Sequence, residues 1–197
     1  MKLKPVFAAL VAVSLSCAAL AAEPQCPAPR AQPAESEQVT ARAIEWAQAQ
    51  ASAALRAGKP LPAKLQAIAK GNGVKLPQNI RLVVVDEIPL PKEQPLAGAA
   101  ARLGLASSWA AGLTLGYAVI VAKGYEADPR ILSHELRHVA QYEACGDIAR
   151  FLGVHLADMM ERGYQDSPFE VDARAHERHC PTSSAARAPS PGTARRR

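Results

Sequence analysis

The pattern His134-Glu135-Leu136-Arg137-His138 lies in a segment with helix boundary signals at both ends. Asp128 is a suitable N-cap, Pro129 fits the first helical turn, and Gly146 is a suitable stop residue. We therefore predict a helix from about Pro129 to Ala144. Residues four apart project from one helical face, so the two histidines share a polar face, while leucines and a valine form the opposite, packing face.

The spacing of His134 and His138 suits a metal ion. Two imidazoles one helical turn apart can bind one zinc ion at about 2.0–2.1 Å. Glu135 lies beside them and can accept a proton from water without binding the metal, as in zinc metallopeptidases with the H-E-x-x-H pattern. The plain alternative is a solvated helix face with two incidental histidines. Three features favour a metal site: the capped helix, the β-branched strand before it, and the predicted signal peptide at residues 1–21.

A catalytic zinc ion usually has three protein ligands and one open position. Several residues after the motif could supply the third ligand: His155, Asp158, Glu161, Glu170, Asp172, His176, Glu177 and His179. The spacing alone does not choose among them.

Two segments together resemble a known family. His134-Glu135-Leu136-Arg137-His138-Val139-Ala140-Gln141-Tyr142-Glu143 is followed by a helix and then by Ser167-Pro168-Phe169-Glu170-Val171-Asp172-Ala173-Arg174. This arrangement resembles the zincin metallopeptidases, and more narrowly the gluzincin type, over about Leu113 to His179. The resemblance implies that His134, His138 and Glu170 bind Zn2+ and that Glu135 is the general base.

The position of Glu170 also has other interpretations. Ser167 and Glu170 spell a capping box, in which the glutamate only caps its own helix. Asp172 is an alternative third ligand. Some related families carry an acidic residue four positions after the ligand glutamate, but Arg174 stands there in this chain, which leaves open what supports the ligands.

The predicted elements indicate an α+β fold, because helices come first, then a few strands, then helices again. Strands are predicted over Ile80–Val85 and Leu113–Val121, and further helices over Val39–Arg56, Pro62–Lys70, Ile148–Arg162 and Ser167–His179. The resemblance implies a zincin-like arrangement, in which an edge strand just before the metal helix, here Leu113–Val121, holds an extended peptide substrate by main-chain hydrogen bonds.

The two ends of the chain differ from its body. Residues 1–21 have two lysines, a short apolar run and a small-x-small pattern, which predict a signal peptide and a periplasmic or secreted protein. Residues 22–37 are predicted to be a disordered lead-in, 38–180 the folded domain, and 181–197 a disordered Arg-rich tail. No later run reaches about 18 apolar residues, so we expect no membrane span after cleavage.

The basic charge of the chain lies at its ends. Without residues 1–21 and 181–197, 17 basic and 18 acidic residues remain. This balance argues against a folded nucleic-acid-binding surface, and the short tail lacks the aromatic residues of a single-strand binding site.

Three cysteines remain after the predicted cleavage. Because Cys145 and Cys180 flank the segment with the expected chemistry, we predict a disulfide between them and leave Cys26 unpaired.

The sequence thus predicts a zinc metallopeptidase that acts on a peptide or protein substrate. The alternative is a metal- or peptide-binding relative without turnover, against which the intact Glu135 argues. Four residues could stabilise the oxyanion of the reaction: Tyr117, His155, Tyr164 and His176.

Overall fold

The computed structural model describes residues 23–105 and 111–178, so the predicted signal peptide and Arg-rich tail lie outside the described residues. Within the described part the fold is mixed α+β, which confirms the predicted class. The helices are α1 (Ala34–Ala57), α2 (Ala63–Gly71), α3 (Leu96–Arg102), α4 (Pro129–Cys145), α5 (Ile148–Arg162) and α6 (Pro168–Ala175). The strands are β1 (Lys59–Pro60), β2 (Arg81–Val85), β3 (Gly112–Leu115) and β4 (Ala118–Ala122). None of the described helices is long and apolar enough to cross a membrane.

The four strands form one sheet in the order β1-β2-β4-β3. Strands β2 and β4 are parallel, with Leu82 opposite Val119, whereas β1 and β3 are each antiparallel to their neighbours. Strand β3 therefore forms one edge of the sheet. It also contacts α4, which carries the two histidines of the motif.

The prediction of a single strand over Leu113–Val121 is wrong. This segment is a hairpin of β3 and β4, joined at Gly116 and Tyr117. Gly116 has φ of 63°, a left-handed conformation that glycine adopts without a Cβ clash and that a tight hairpin turn requires. Because the apolar residues continue through both strands, the pattern of the sequence does not reveal the turn.

The core lies on both faces of the sheet. Successive side chains of a strand point to opposite faces. Val119 and Val121 accordingly pack against the apolar side of α4, whereas Ala118 and Ile120 pack with the alanines of α1. On α4 the packing residues are Leu132, Leu136 and Val139, which confirms the predicted core face of this helix.

The segment before α1 is attached to the helical half of the molecule. Cys26 forms a disulfide with Cys145 at the end of α4, with their Cα atoms 4.8 Å apart. The predicted Cys145–Cys180 pairing is therefore wrong, and Cys180 lies outside the described residues. Arg30 pairs with the buried Asp158 of α5 at 3.1 Å. Helix α1 begins at Ala34, inside the segment 22–37 that the sequence predicts as a disordered lead-in.

Helices α4, α5 and α6 begin at or next to the predicted positions, because polar caps and prolines mark their starts. Asp128 accepts hydrogen bonds from the first backbone N–H groups of α4, and Asp147 accepts one from the backbone N–H of Arg150 in α5. Helix α6 ends at Ala175, four residues before the predicted end. The short helix α3 was not predicted, because Pro89, Pro91 and Pro95 indicate a broken segment there.

Candidate metal centre

Three side chains from two helices converge on one point. His134 and His138 come from α4 and Glu170 from α6, and one possible ligand atom of each lies within 4.8 Å of the other two. The two Nε2 atoms are 3.1 Å apart. Glu170 places Oε2 at 3.4 Å from His134 Nε2 and Oε1 at 3.4 Å from His138 Nε2. These distances are near the edge of about 3.3 Å that a tetrahedron has when its bonds are about 2.0–2.1 Å, as for zinc.

The other ring nitrogens fix the tautomers of both histidines. His134 Nδ1 donates to Glu177 Oε1 at 3.1 Å, because a carboxylate oxygen can only accept. His138 Nδ1 donates to the side-chain oxygen of Gln141 at 2.7 Å. The amide of Gln141 is oriented by its own donors, which bond the Phe169 carbonyl and Asp172 at 2.9 and 2.7 Å. With Nδ1 donating outwards, each imidazole points its Nε2 atom towards the centre, where that nitrogen can hold either a proton or a metal ion.

This set of atoms fits a cation. Glu170 Oε2 is buried and has no hydrogen-bond donor among the described residues, and it faces Nε2 of His134, while Oε1 faces Nε2 of His138. Three acceptors gathered in a buried place are unfavourable unless a positive charge lies among them. Two imidazoles and one carboxylate are also ligand types that zinc accepts, and both histidines have the hydrogen-bonded support that ligands need. The group could thus hold a metal ion.

The shifted pKa values of His138 and Glu170 also indicate that this site favours a positive charge. Burial alone would lower the pKa of His138, but the nearby Glu170 and Glu135 carboxylates raise it to about 9. Burial alone would raise the pKa of Glu170, but contacts with His134 and His138 hold it well below its usual range. A proton on His138 therefore compensates the carboxylates in the metal-free protein.

Glu135 lies beside the centre rather than in it. Its Oε2 accepts a hydrogen bond of 2.7 Å from the Thr114 hydroxyl on the edge strand β3. The rest of the carboxylate packs on Gly112, where a Cβ atom would collide with it. Burial raises the pKa of this carboxyl, which makes its carboxylate a stronger base. This environment suits a proton acceptor next to a metal.

The two alternative interpretations of Glu170 do not agree with the geometry. Asp172 is not part of the group formed by His134 and His138, and it accepts two hydrogen bonds from Arg137, at 2.7 and 2.9 Å. No side-chain hydrogen bond caps α6, so Ser167 and Glu170 do not form a capping box. Arg174, four residues after Glu170, lies 3.7 Å from Glu170 Oε2.

The remaining candidates from the sequence fall into two groups. Tyr117 donates to Glu143 at 2.9 Å and His176 bonds the carbonyl of Asp172, both away from the centre. His155 and Tyr164 instead line the cleft with the proposed ligands. Burial lowers the pKa of His155, and burial together with Glu170 raises that of Tyr164. Asp158 and Glu161 of α5 pair with Arg30 of the segment before α1, and His179 lies outside the described residues.

The centre opens into a cleft of about 990 Å³ between α1, α3, β3 and α5. Apolar residues dominate its walls, among them Val39, Leu96, Leu113, Leu156 and Met159. A cleft with apolar walls and a few convergent polar groups is the usual form of a ligand site.

Several supporting residues were not predicted from the sequence. Gln141 follows His138 by three residues, so its place on the same helical side is a usable signal. Glu177 contacts His134, and Thr114 and Gly112 contact Glu135, from segments that are distant in the sequence. The spacing of residues in the sequence therefore does not predict these contacts. The chain matches no family model, no curated protein and no solved structure, so its function is inferred from the site itself.

Proposed function

We propose that this protein is a secreted zinc-dependent metallopeptidase of the zincin type. One observation carries the proposal: two histidine Nε2 atoms and a carboxylate oxygen that has no donor in the described part of the chain converge beside the buried Glu135. A site that only stores metal needs the ligands but has no need of a buried base next to them.

His134, His138 and Glu170 would hold the zinc ion. When bound, zinc supplies a Lewis acid that polarises a carbonyl group and lowers the pKa of water. Glu135 accepts a proton from water and returns it to the leaving amine, and burial, which raises its pKa, makes it a stronger proton acceptor. Thr114 holds one oxygen of this carboxylate and so orients the other oxygen.

The position of β3 at the edge of the sheet is evidence for a peptide substrate. The strand pairs with β4 on one side, and Gly112, Leu113 and Thr114 line the cleft. An extended peptide can add main-chain hydrogen bonds to such an edge. Because Gly112 and Thr114 also contact Glu135, a peptide on this strand would lie beside the base.

Export is proposed from residues 1–21 and from the cysteines. The Cys26–Cys145 disulfide supports an oxidising compartment, such as the periplasm or the extracellular space, because disulfides rarely persist in the cytosol. Amino-terminal sequencing of the protein recovered from each cell fraction tests both the location and the cleavage near Ala22.

The decisive experiment measures zinc content and peptide cleavage in one set of purified variants. Glu135→Gln should keep about one zinc ion per chain and lose about 10²-fold or more of the cleavage rate, because only the base is removed. Glu143→Gln is the matched control, since Glu143 lies on the same helix and bonds Tyr117 outside the cleft.

The outcomes separate the alternatives. Full cleavage by Glu135→Gln would contradict the base assignment. Stoichiometric zinc in the wild type without cleavage of a broad peptide library would favour a binding protein without turnover.

A further inference from the structure

Ser167 stands at the N-cap position of α6 but does not cap the helix. Serine is a favoured N-cap because its hydroxyl can accept from the first backbone N–H groups. Here the side chain is fully buried, with no exposed surface, and its Oγ lies 3.1 Å from Nδ1 of His155 on α5. The hydroxyl is thus diverted from the helix end to an imidazole.

The opposite nitrogen of His155 faces the proposed third ligand. His155 Nε2 lies 3.5 Å from Glu170 Oε1, while the other oxygen, Oε2, faces His134 and has no hydrogen-bond donor within residues 23–105 and 111–178. Because a carboxylate oxygen only accepts, this contact favours the neutral ring that carries its proton on Nε2. Nδ1 then accepts from the Ser167 hydroxyl. Ser167, His155 and Glu170 are therefore arranged as successive donors and acceptors.

We propose that His155, oriented by Ser167, is a positioning residue that fixes the Glu170 carboxylate for metal binding. The inference rests on the proposed metal site and adds a function for two residues outside the ligand set. Groups that hydrogen-bond a ligand orient it, and their loss typically reduces metal affinity 10- to 100-fold. Contact of His155 with one oxygen leaves the donor-free oxygen to complete the ligand set.

A plain packing role is the competing explanation, because the His155 ring lies among Phe151 and Phe169, with centroids 5.2 and 5.5 Å away. His155→Phe keeps an aromatic ring there but removes both nitrogens. Ser167→Ala removes only the hydroxyl, and the helix loses no cap. Thr40→Val is the matched control: Thr40 is also buried, and its hydroxyl donates to Gln32 instead of a group at the centre.

The experiment measures zinc affinity by competition with a chromophoric chelator, and thermal unfolding of the metal-free proteins. We expect His155→Phe and Ser167→Ala to weaken zinc binding by about 10- to 100-fold. His155→Gln should recover most of the affinity, because its amide N–H can donate to Glu170. Ser167→Ala and Thr40→Val should both lower the unfolding temperature of the metal-free protein, but only the former should change zinc affinity.

Unchanged zinc affinity in both His155→Phe and Ser167→Ala would overturn the inference. Complete loss of zinc in His155→Phe, as in a ligand variant, would also overturn it and make His155 a ligand. A wild-type protein that binds no zinc would instead refute the proposed function, so the two failures are distinguishable.

Discussion

His134 and His138 face each other with their Nε2 atoms 3.1 Å apart, although each ring donates its Nδ1 proton elsewhere. Two lone pairs at this distance repel, so either a proton on one of the nitrogens or a bound cation must lie between them. Glu177 and Gln141 fix the two rings by independent contacts, so the arrangement does not depend on a single hydrogen bond. Metal affinity is therefore the most direct property to measure.

The first prediction separates the ligand Glu170 from its neighbour Asp172. Glu170→Ala should abolish stoichiometric zinc binding, as should His134→Ala and His138→Ala. Asp172→Asn should keep the zinc ion but lower the free energy of unfolding by about 1–3 kcal/mol, because it removes a charged partner of the buried Arg137. Metal analysis and denaturant unfolding measure the two effects. Loss of zinc in Asp172→Asn with retention in Glu170→Ala would reverse the assignment.

The second prediction concerns the contact between β3 and the base. Gly112→Ala would place a Cβ atom against the Glu135 carboxylate and displace it. We expect a loss of 10-fold or more in cleavage rate with zinc content unchanged, since small displacements of a catalytic group are costly. Gly153→Ala is the matched control, because a Cβ there meets nothing within 4 Å and should stabilise α5 by roughly 0.5–1 kcal/mol. Equal cleavage rates in both variants would show that Glu135 tolerates the displacement.

The third prediction is the cysteine pairing of the exported protein. Alkylation of the unreduced, denatured protein should label Cys180 and leave Cys26 and Cys145 in one linked peptide. Cys26→Ser should lower the free energy of unfolding by about 2–5 kcal/mol, because the bridge closes a long loop. A linked peptide containing Cys145 and Cys180 would contradict this pairing, and so would three labelled cysteines.

Local signals predict the helices that carry the site. Asp128 and Asp147 cap α4 and α5, and glycines follow both helices, so the sequence alone predicts the i, i+4 histidine pair on one helical face. The capping box shows where such signals are insufficient. Ser167 and Glu170 have the right spacing for it, but the Ser167 hydroxyl contacts His155 and the Glu170 carboxylate lies in the candidate metal centre.

The features that the sequence could not reveal depend on contacts between distant segments. The Cys26–Cys145 pairing spans 119 residues. It depends on the packing of the segment before α1 against the helical half, where Arg30 contacts α5. Glu177 supports His134 across 43 residues because α6 packs on α4. The hairpin turn at Gly116 is hidden inside a continuous apolar run, since both of its strands are partly or fully buried. Tertiary packing decides each of these features.

The last prediction is a pH dependence that differs between the metal-free and the zinc-bound protein. The pKa of His138 is about 9 in the folded metal-free protein, above the value of 6.5 expected when unfolded. A raised folded pKa stabilises the fold fully below pH 6.5, and this contribution is lost as the pH rises through about 9. With chelator present, the free energy of unfolding should therefore fall between pH 6.5 and 9.

Bound zinc replaces the proton, so zinc affinity should rise up to tenfold per pH unit over the same range. Denaturant unfolding with chelator, and zinc titrations at pH 6.5, 7.5 and 8.5, measure both trends. His138→Gln with chelator is the control and should lack most of the fall. A zinc affinity independent of pH over this range would contradict a protonated His138 in the metal-free site.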